Sequence, residues 1–184
     1  MAPTTDLRWR MNEATDAFLV ALDISGFSND VDPDQLLNHR MSFFQAVELT
    51  RLFPEARDQG TVRVHFLGDE LRLAFLAAVD AWEVKGFVDD VFAALDRLNR
   101  HVPEPQRTRI RGAVLGGVVT WRQWRGCDFL NGQLPIQAQS WTASLAPGEV
   151  AANGPFRVSL QTEGVPVNLP ERDFSGQPGY MLRG

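Results

Sequence analysis

Phe18-Leu19-Val20-Ala21-Leu22-Asp23-Ile24-Ser25-Gly26-Phe27-Ser28 decides how this chain reads. Ala17 to Leu22 is a short, nearly all-apolar run, the pattern of a strand buried on both faces. The run stops at Asp23 in a polar, glycine-containing turn. Asp32-Pro33-Asp34 then opens a helix, with Asp32 as N-cap and Pro33 at the first helical position. That helix is expected to reach about Phe53, where Pro54 follows.

Further along, Val62, Val64 and Phe66 alternate with Arg63, His65 and Leu67, as on the two faces of a strand. Gly68-Asp69 makes a tight turn, and Leu71, Leu73 and Phe75 continue as a second strand, giving a β-hairpin. Residues 77–101 predict a long helix, with Val84, Val88, Val91, Leu95 and Leu98 at helical spacing and Pro103 and Pro105 closing it. Arg109 to Thr120 reads as a strand interrupted by Gly112, Gly116 and Gly117. A shorter helix is expected over 136–145, a strand at Glu149-Val150-Ala151, and strand-like pieces at 165–169 and 179–182. The order predicts an α+β fold with a ferredoxin-like βαββαβ core and a C-terminal αβ extension. Residues 1–15 read as a flexible leader and 16–184 as one domain.

A length of 184 residues supports one proper core. The net charge of −5 speaks against a general nucleic-acid binder, which needs a basic footprint on phosphates. Cys127 is the only cysteine, so no intrachain disulfide forms; it reads as a small packing residue in a reducing compartment. No signal-peptide core is present, and no apolar run approaches the ~20 residues that span a bilayer, so the expectation is a cytoplasmic protein without a membrane partner. His39, His65 and His101 lack metal-ligand spacing, and no nucleophile–His–Asp set is evident. Trp121-Arg122-Gln123-Trp124-Arg125 interleaves aromatic and basic residues as single-strand binders do. In an acidic chain it reads as a hairpin tip or dimer contact.

Three segments together resemble class III nucleotidyl (adenylate/guanylate) cyclase catalytic domains. The first is the strand that ends in Asp23-Ile24-Ser25-Gly26-Phe27-Ser28. The second is Phe66-Leu67-Gly68-Asp69-Glu70, similar to the family's Gly-Asp hairpin. The third is Arg111-Gly112-Ala113-Val114-Leu115-Gly116, followed by Gly132 and by Leu145-Ala146-Pro147-Gly148-Glu149. The resemblance implies a cyclase that converts a nucleoside triphosphate to a 3′,5′-cyclic nucleotide and pyrophosphate. It implies two Mg²⁺ or Mn²⁺ ions per site, hard cations that take carboxylate oxygens. Asp23 and Asp69 would hold them with the carbonyl of Ile24, and the segment Ser25, Gly26, Phe27 and Ser28 would cradle the triphosphate. Each aspartate alone reads equally well as a turn residue.

The family's base-reading positions fall on His65 and near Phe129, with Asp128 beside it. Its catalytic asparagine and arginine, which reach across a dimer interface from the third helix, fall on Ile136 and Ser140, or on Gln137 and Trp141 in the adjacent register. Gln137 can replace the amide, but neither register supplies an arginine. Arg72, Arg122, Arg125, Gln137 and Gln139 are the candidate substitutes near the expected cleft, each readable instead as a solvated surface side chain. The size is similar to that of stand-alone cyclases of bacterial anti-phage systems that make cyclic UMP or cyclic CMP, which leaves a pyrimidine base open. Three functions compete: a homodimeric cyclase, a cyclase-like module that binds nucleotide or a partner without turnover, and one half of a heterodimer whose other subunit brings the arginine.

Overall fold

Apolar alternation sets the two faces of a central sheet. The structure, a computed structural model, describes residues 13–26, 32–124 and 127–184. The chain runs β1 (Glu13–Ile24), α1 (Pro33–Glu48), α2 (Leu52–Asp58), β2 (Val62–Leu67), β3 (Glu70–Leu76) and α3 (Ala81–Asn99). It continues through β4 (Ile110–Trp124), β5 (Cys127–Asn131), α4 (Gln133–Ala143), β6 (Val150–Asn153), α5 (Gly154–Thr162), β7 (Glu171–Phe174) and β8 (Gln177–Arg183). Among the described residues the strands form one sheet in the order β2-β3-β1-β4-β6-β8-β7, with β5 paired to β4. Strand β1 lies antiparallel between β3 and β4, and β2 is antiparallel to β3. This is the expected ferredoxin-like core. The extension adds β6 parallel to β4, then β8 and β7.

Residues at period two along each strand divide between two cores. Val20, Leu22 and Ile24 of β1 join Leu71, Leu73 and Phe75 of β3 under α1, α2, α3 and α5. Ala17, Leu19 and Ala21 face the other way, with Ala74, Ala113 and Leu115, under Leu134, Ala138 and Trp141 of α4. A fully buried Leu or Phe contributes ~1.5–3 kcal/mol, so the first core, which holds most of the large side chains, carries most of the stability. The second face is thereby free to carry polar groups at its strand ends. No helix among the described residues is long and apolar enough to cross a membrane.

The structure departs from the sequence expectations at several points. The first helix breaks at Thr50, whose hydroxyl donates to the Val47 carbonyl at 2.8 Å and accepts from the Phe53 N–H at 3.4 Å. That restarts the chain as α2, where Pro54 sits in a first turn that needs no proline N–H. Strand β1 begins at Glu13, inside the expected leader. Strand β4 runs on to Trp124 and forms a hairpin with β5. Helix α4 starts at Gln133, ahead of the expected 136, with Pro135 in its first turn. Residues 165–169 form no strand; Val165 and Val167 pack on the first core without a ladder. Helix α5 was not expected; Asn153 caps it by accepting from the Phe156 N–H at 3.1 Å. Cys127 is exposed at the start of β5, opposite Trp124 at the tip of the β4–β5 hairpin, and is no core packing residue.

Candidate functional site

The strand register lays out a polar patch on the α4 face. Asp23 continues the Ala17, Leu19, Ala21 row of β1, and pairs across the sheet with Glu70 of β3 and Arg111 of β4. One step inward, Arg72 of β3 pairs with Ala21 on one side and with His65 of β2 on the other. A third step inward is apolar on β1, β3 and β4: Leu19, Ala74 and Leu115. The polar side chains therefore stand at one end of this face.

Asp69 lies in the two-residue turn between β2 and β3. Gly68 precedes it at φ +65°, the left-handed conformation that a hairpin turn with glycine first requires. The Ile24 N–H donates to the Asp69 carbonyl at 3.3 Å, which fastens the turn to the end of β1. This link brings Asp69 beside Asp23. Burial pushes the Asp23 carboxyl above its ordinary pKa; a hydrogen bond from Arg111 opposes this, and the charge of Asp69 adds to it.

Arg111 is the site residue that the sequence did not disclose. Its Nε and Nη2 both stand 3.0 Å from Asp23 Oδ2. Its Nη1 donates to the carbonyls of Ala143 and Leu145, at 3.2 and 3.1 Å, at the end of α4. Arg111 thus ties the Asp23 carboxylate to that helix, while Asp23 Oδ1 has no protein partner among the described residues.

Ser25 and Gly26 follow β1 and border a recess of about 370 Å³ that also meets Gln35, His39, Arg107 and Arg109. The Ser25 Oγ is buried without a hydrogen-bond partner among the described residues. Buried polar atoms are nearly always satisfied, so this hydroxyl suits an acceptor from outside the protein. Phe27, Ser28 and Arg125 lie outside the described residues.

His65 is 9% exposed, neither free in solvent nor fully enclosed. The Leu130 N–H donates to its Nδ1 at 3.3 Å, so the neutral ring carries its proton on Nε2. Burial and the Arg72 charge hold its pKa below the ordinary value. Phe129 lies beside it, ring centroids 5.4 Å apart, and the Val64 N–H donates to Asp128 Oδ2 at 3.1 Å. Strand β5 is thereby clasped to β2.

Arg72 is a correction to the surface reading. At 5% exposure it forms a two-pronged pair with Glu70, from Nε at 2.7 Å and Nη2 at 2.9 Å. Arg122 is exposed on β4, opposite Phe129. On α4, Ile136, Gln139 and Ser140 are exposed. The Gln137 Nε2 donates to Gln177 Oε1 at 2.7 Å above a recess of about 250 Å³. Trp141 is 2% exposed and stacks on Phe174 with centroids 4.5 Å apart. The register that places Gln137 and Trp141 at the family's positions therefore puts one of them in the core; the Ile136 and Ser140 register leaves both on the surface.

Comparison with solved structures fits this geometry: the fold is that of adenylyl and guanylyl cyclase catalytic domains. The chain is similar to the non-canonical dimeric guanylyl cyclase domain of the RhoGC fusion protein from the aquatic fungus Blastocladiella emersonii. The TM-score is 0.69 at 16% identity, over 93% of this chain and 97% of that one. It is also similar to the adenylyl cyclase CyaB from P. aeruginosa, with a TM-score of 0.63 at 14% identity over 93% and 94% of the two chains. An adenylate/guanylate cyclase/hydrolase from Silicibacter pomeroyi gives 0.63 at 18% identity over 92% and 95%. No protein-family model matches the sequence, and no curated protein is similar to it in sequence.

Proposed function

We propose that this protein is a metal-dependent nucleotidyl cyclase, with Asp23 and Asp69 as its metal ligands. The observation that carries this is their meeting at two adjoining strand ends, with mutual repulsion between the carboxylates, on a cyclase-domain fold. Among the described residues no cluster of three or more His, Cys, Asp or Glu could cage an ion. Mg²⁺ does not require one, because it binds through one or two carboxylates and completes its shell with phosphate oxygens and water. The donor set of Asp23, Asp69 and the Ile24 carbonyl suits a pair of such ions, which when bound would neutralise the phosphates and acidify the 3′-hydroxyl.

The chain's own residues supply the rest. Ser25 and Gly26, with Phe27 and Ser28 after them, take the triphosphate, and the unsatisfied Ser25 hydroxyl donates to it. Arg111 shields Asp23 in the absence of ions, a guanidinium standing where cationic charge is wanted. His65 meets the base edge with its single Nε2–H donor, and Phe129 gives a ring to stack on. Ile136, 62% exposed, and Leu67, 40% exposed, offer apolar contacts to a second copy across the cleft. The assembly is a homodimer.

A second reading, nucleotide binding without turnover, draws on α4, where the exposed Ile136 and Ser140 provide neither amide nor guanidinium. One experiment decides between them: incubate the pure protein with each of the four NTPs and Mn²⁺ and analyse the products by mass spectrometry. A cyclic nucleotide with pyrophosphate supports the cyclase. Intact NTP in all four reactions, with binding retained, supports the second reading.

A further inference from the structure

We infer that Arg72 is the arginine of this site, supplied by the same chain that holds the metals, and that Glu70 is the residue that positions it. The inference rests on the cyclase reading and says where that activity finds its missing cation.

A buried ion pair is a poor device for stability, because desolvating both charges offsets their attraction, and apolar residues of the same size do as well. Glu70 and Arg72 are nonetheless 9% and 5% exposed on the α4 face of the sheet. Their location explains them better than stability does. Arg72 pairs in register with His65, while Glu70 pairs with Asp23. By register Arg72 therefore stands between the base-facing histidine and the metal-facing aspartate, where the proposed binding mode puts the ribose and α-phosphate. Glu70 holds Nε and Nη2. Nη1 has no hydrogen-bond partner among the described residues, so its N–H groups can donate to a phosphate oxygen without breaking the pair. Such a clamp fixes the fork before substrate arrives, as preorganised electrostatic catalysis requires.

In the reaction, the 3′-oxygen forms a bond to the α-phosphorus as the bond from that phosphorus to the bridging oxygen breaks. The bonding electron pair leaves on pyrophosphate, and the hydroxyl proton passes to solvent. Negative charge grows on the α-phosphate oxygens and the leaving oxygen, and Arg72 Nη1 is placed to meet it. The exposed, uncharged Ile136 and Ser140 on α4 are then no defect.

The test uses the full chain with Mn²⁺ and the NTP it turns over. Glu70→Gln/Arg72→Met removes both charges at nearly constant volume and should fold. It should keep the metal-plus-nucleotide thermal shift and KM near wild type, and lose ~10²–10³ in kcat. Arg72→Lys, which keeps the charge without the fork, should fall between the two. A double variant with kcat near wild type overturns the inference, and so does wild-type kcat in Arg72→Lys should the double variant fail to fold. Mixing the double variant with Asp23→Asn tests the same-chain claim, since each lesion then cripples the site of its own chain, neither site of a mixed dimer is intact, and no activity returns. Recovery of about a quarter of wild-type activity, the value for random pairing of two-site dimers, would place Arg72 in the partner's site and overturn it. If wild type binds Mn²⁺ and NTP but yields no cyclic nucleotide, the cyclase reading fails on its own. The role of Arg72 in the reaction, which rests on that reading, is then overturned with it, whereas a fully active double variant overturns the inference alone.

Discussion

Gly112→Ala should loosen the seam that carries Asp23 and Arg111. Gly112 faces Leu22 in the β1–β4 ladder, one residue from the Asp23 and Arg111 pair. A Cβ there would lie 2.5 Å from Leu22 Cδ2 and 2.6 Å from the Ala21 carbonyl oxygen. The leucine methyl can rotate away, but the carbonyl belongs to the central strand and cannot. Overpacking of this kind costs ~1–3 kcal/mol, and backbone opposition puts it at the upper end. At roughly 2–4 °C per kcal/mol for a domain of this size, the melting temperature should fall by about 6–12 °C. Gly86→Ala in α3 is the control, because nothing lies within 4 Å of its Cβ. It should gain ~0.5–1 kcal/mol from helix propensity. Scanning calorimetry of both variants decides the matter. A Gly112→Ala protein that melts with wild type would refute the register of β1 against β4, and with it the link between Asp23 and Arg111.

Trp141→Ala should cost ~3–5 kcal/mol, as for a large aromatic removed from a core, and denaturant unfolding will show it. If Trp141 instead faced a partner, the monomer's stability would hardly move. His39 and His65 both have pKa values held below the ordinary value, chiefly by burial. The folded state then prefers the neutral rings, so their contribution is present above about pH 6.5 and is lost as pH falls through the folded values. Melting temperature should decline over that window, and a His39→Gln/His65→Gln variant should decline less; equal slopes would contradict the assignment. Cys127, exposed at the start of β5, should react with a thiol reagent in the folded protein without a change in melting temperature.

The apolar run into Asp23 and the alternation around Gly68-Asp69 made the sheet legible, because period-two burial is written residue by residue. Helix α5 was hidden by its shortness and by a Gly-Pro start that reads as a turn. Glu70 and Arg72 left a local signal: opposite charges two apart on a strand share a face. Their burial did not show, since it is set by tertiary packing rather than by the local pattern. Arg111 was quoted within a motif but given no role, because only the antiparallel register places it across from Asp23. His65 is buried, at 9% exposure, and its setting depends on the Leu130 N–H, 65 residues away, which no local pattern shows.

The thermal shift produced by Mn²⁺ and nucleotide together, in wild type, Asp23→Asn and Asp69→Asn, tests the central claim most directly. Each substitution keeps the volume and removes one charge. Because the surroundings of Asp23 disfavour its charge, Asp23→Asn should fold at least as well as wild type without metal. The account predicts a clear shift for wild type and none for either variant, with cyclic product lost by ~10²–10³ or more. A wild-type shift retained in either variant would contradict the paired metal site and the cyclase reading built on it.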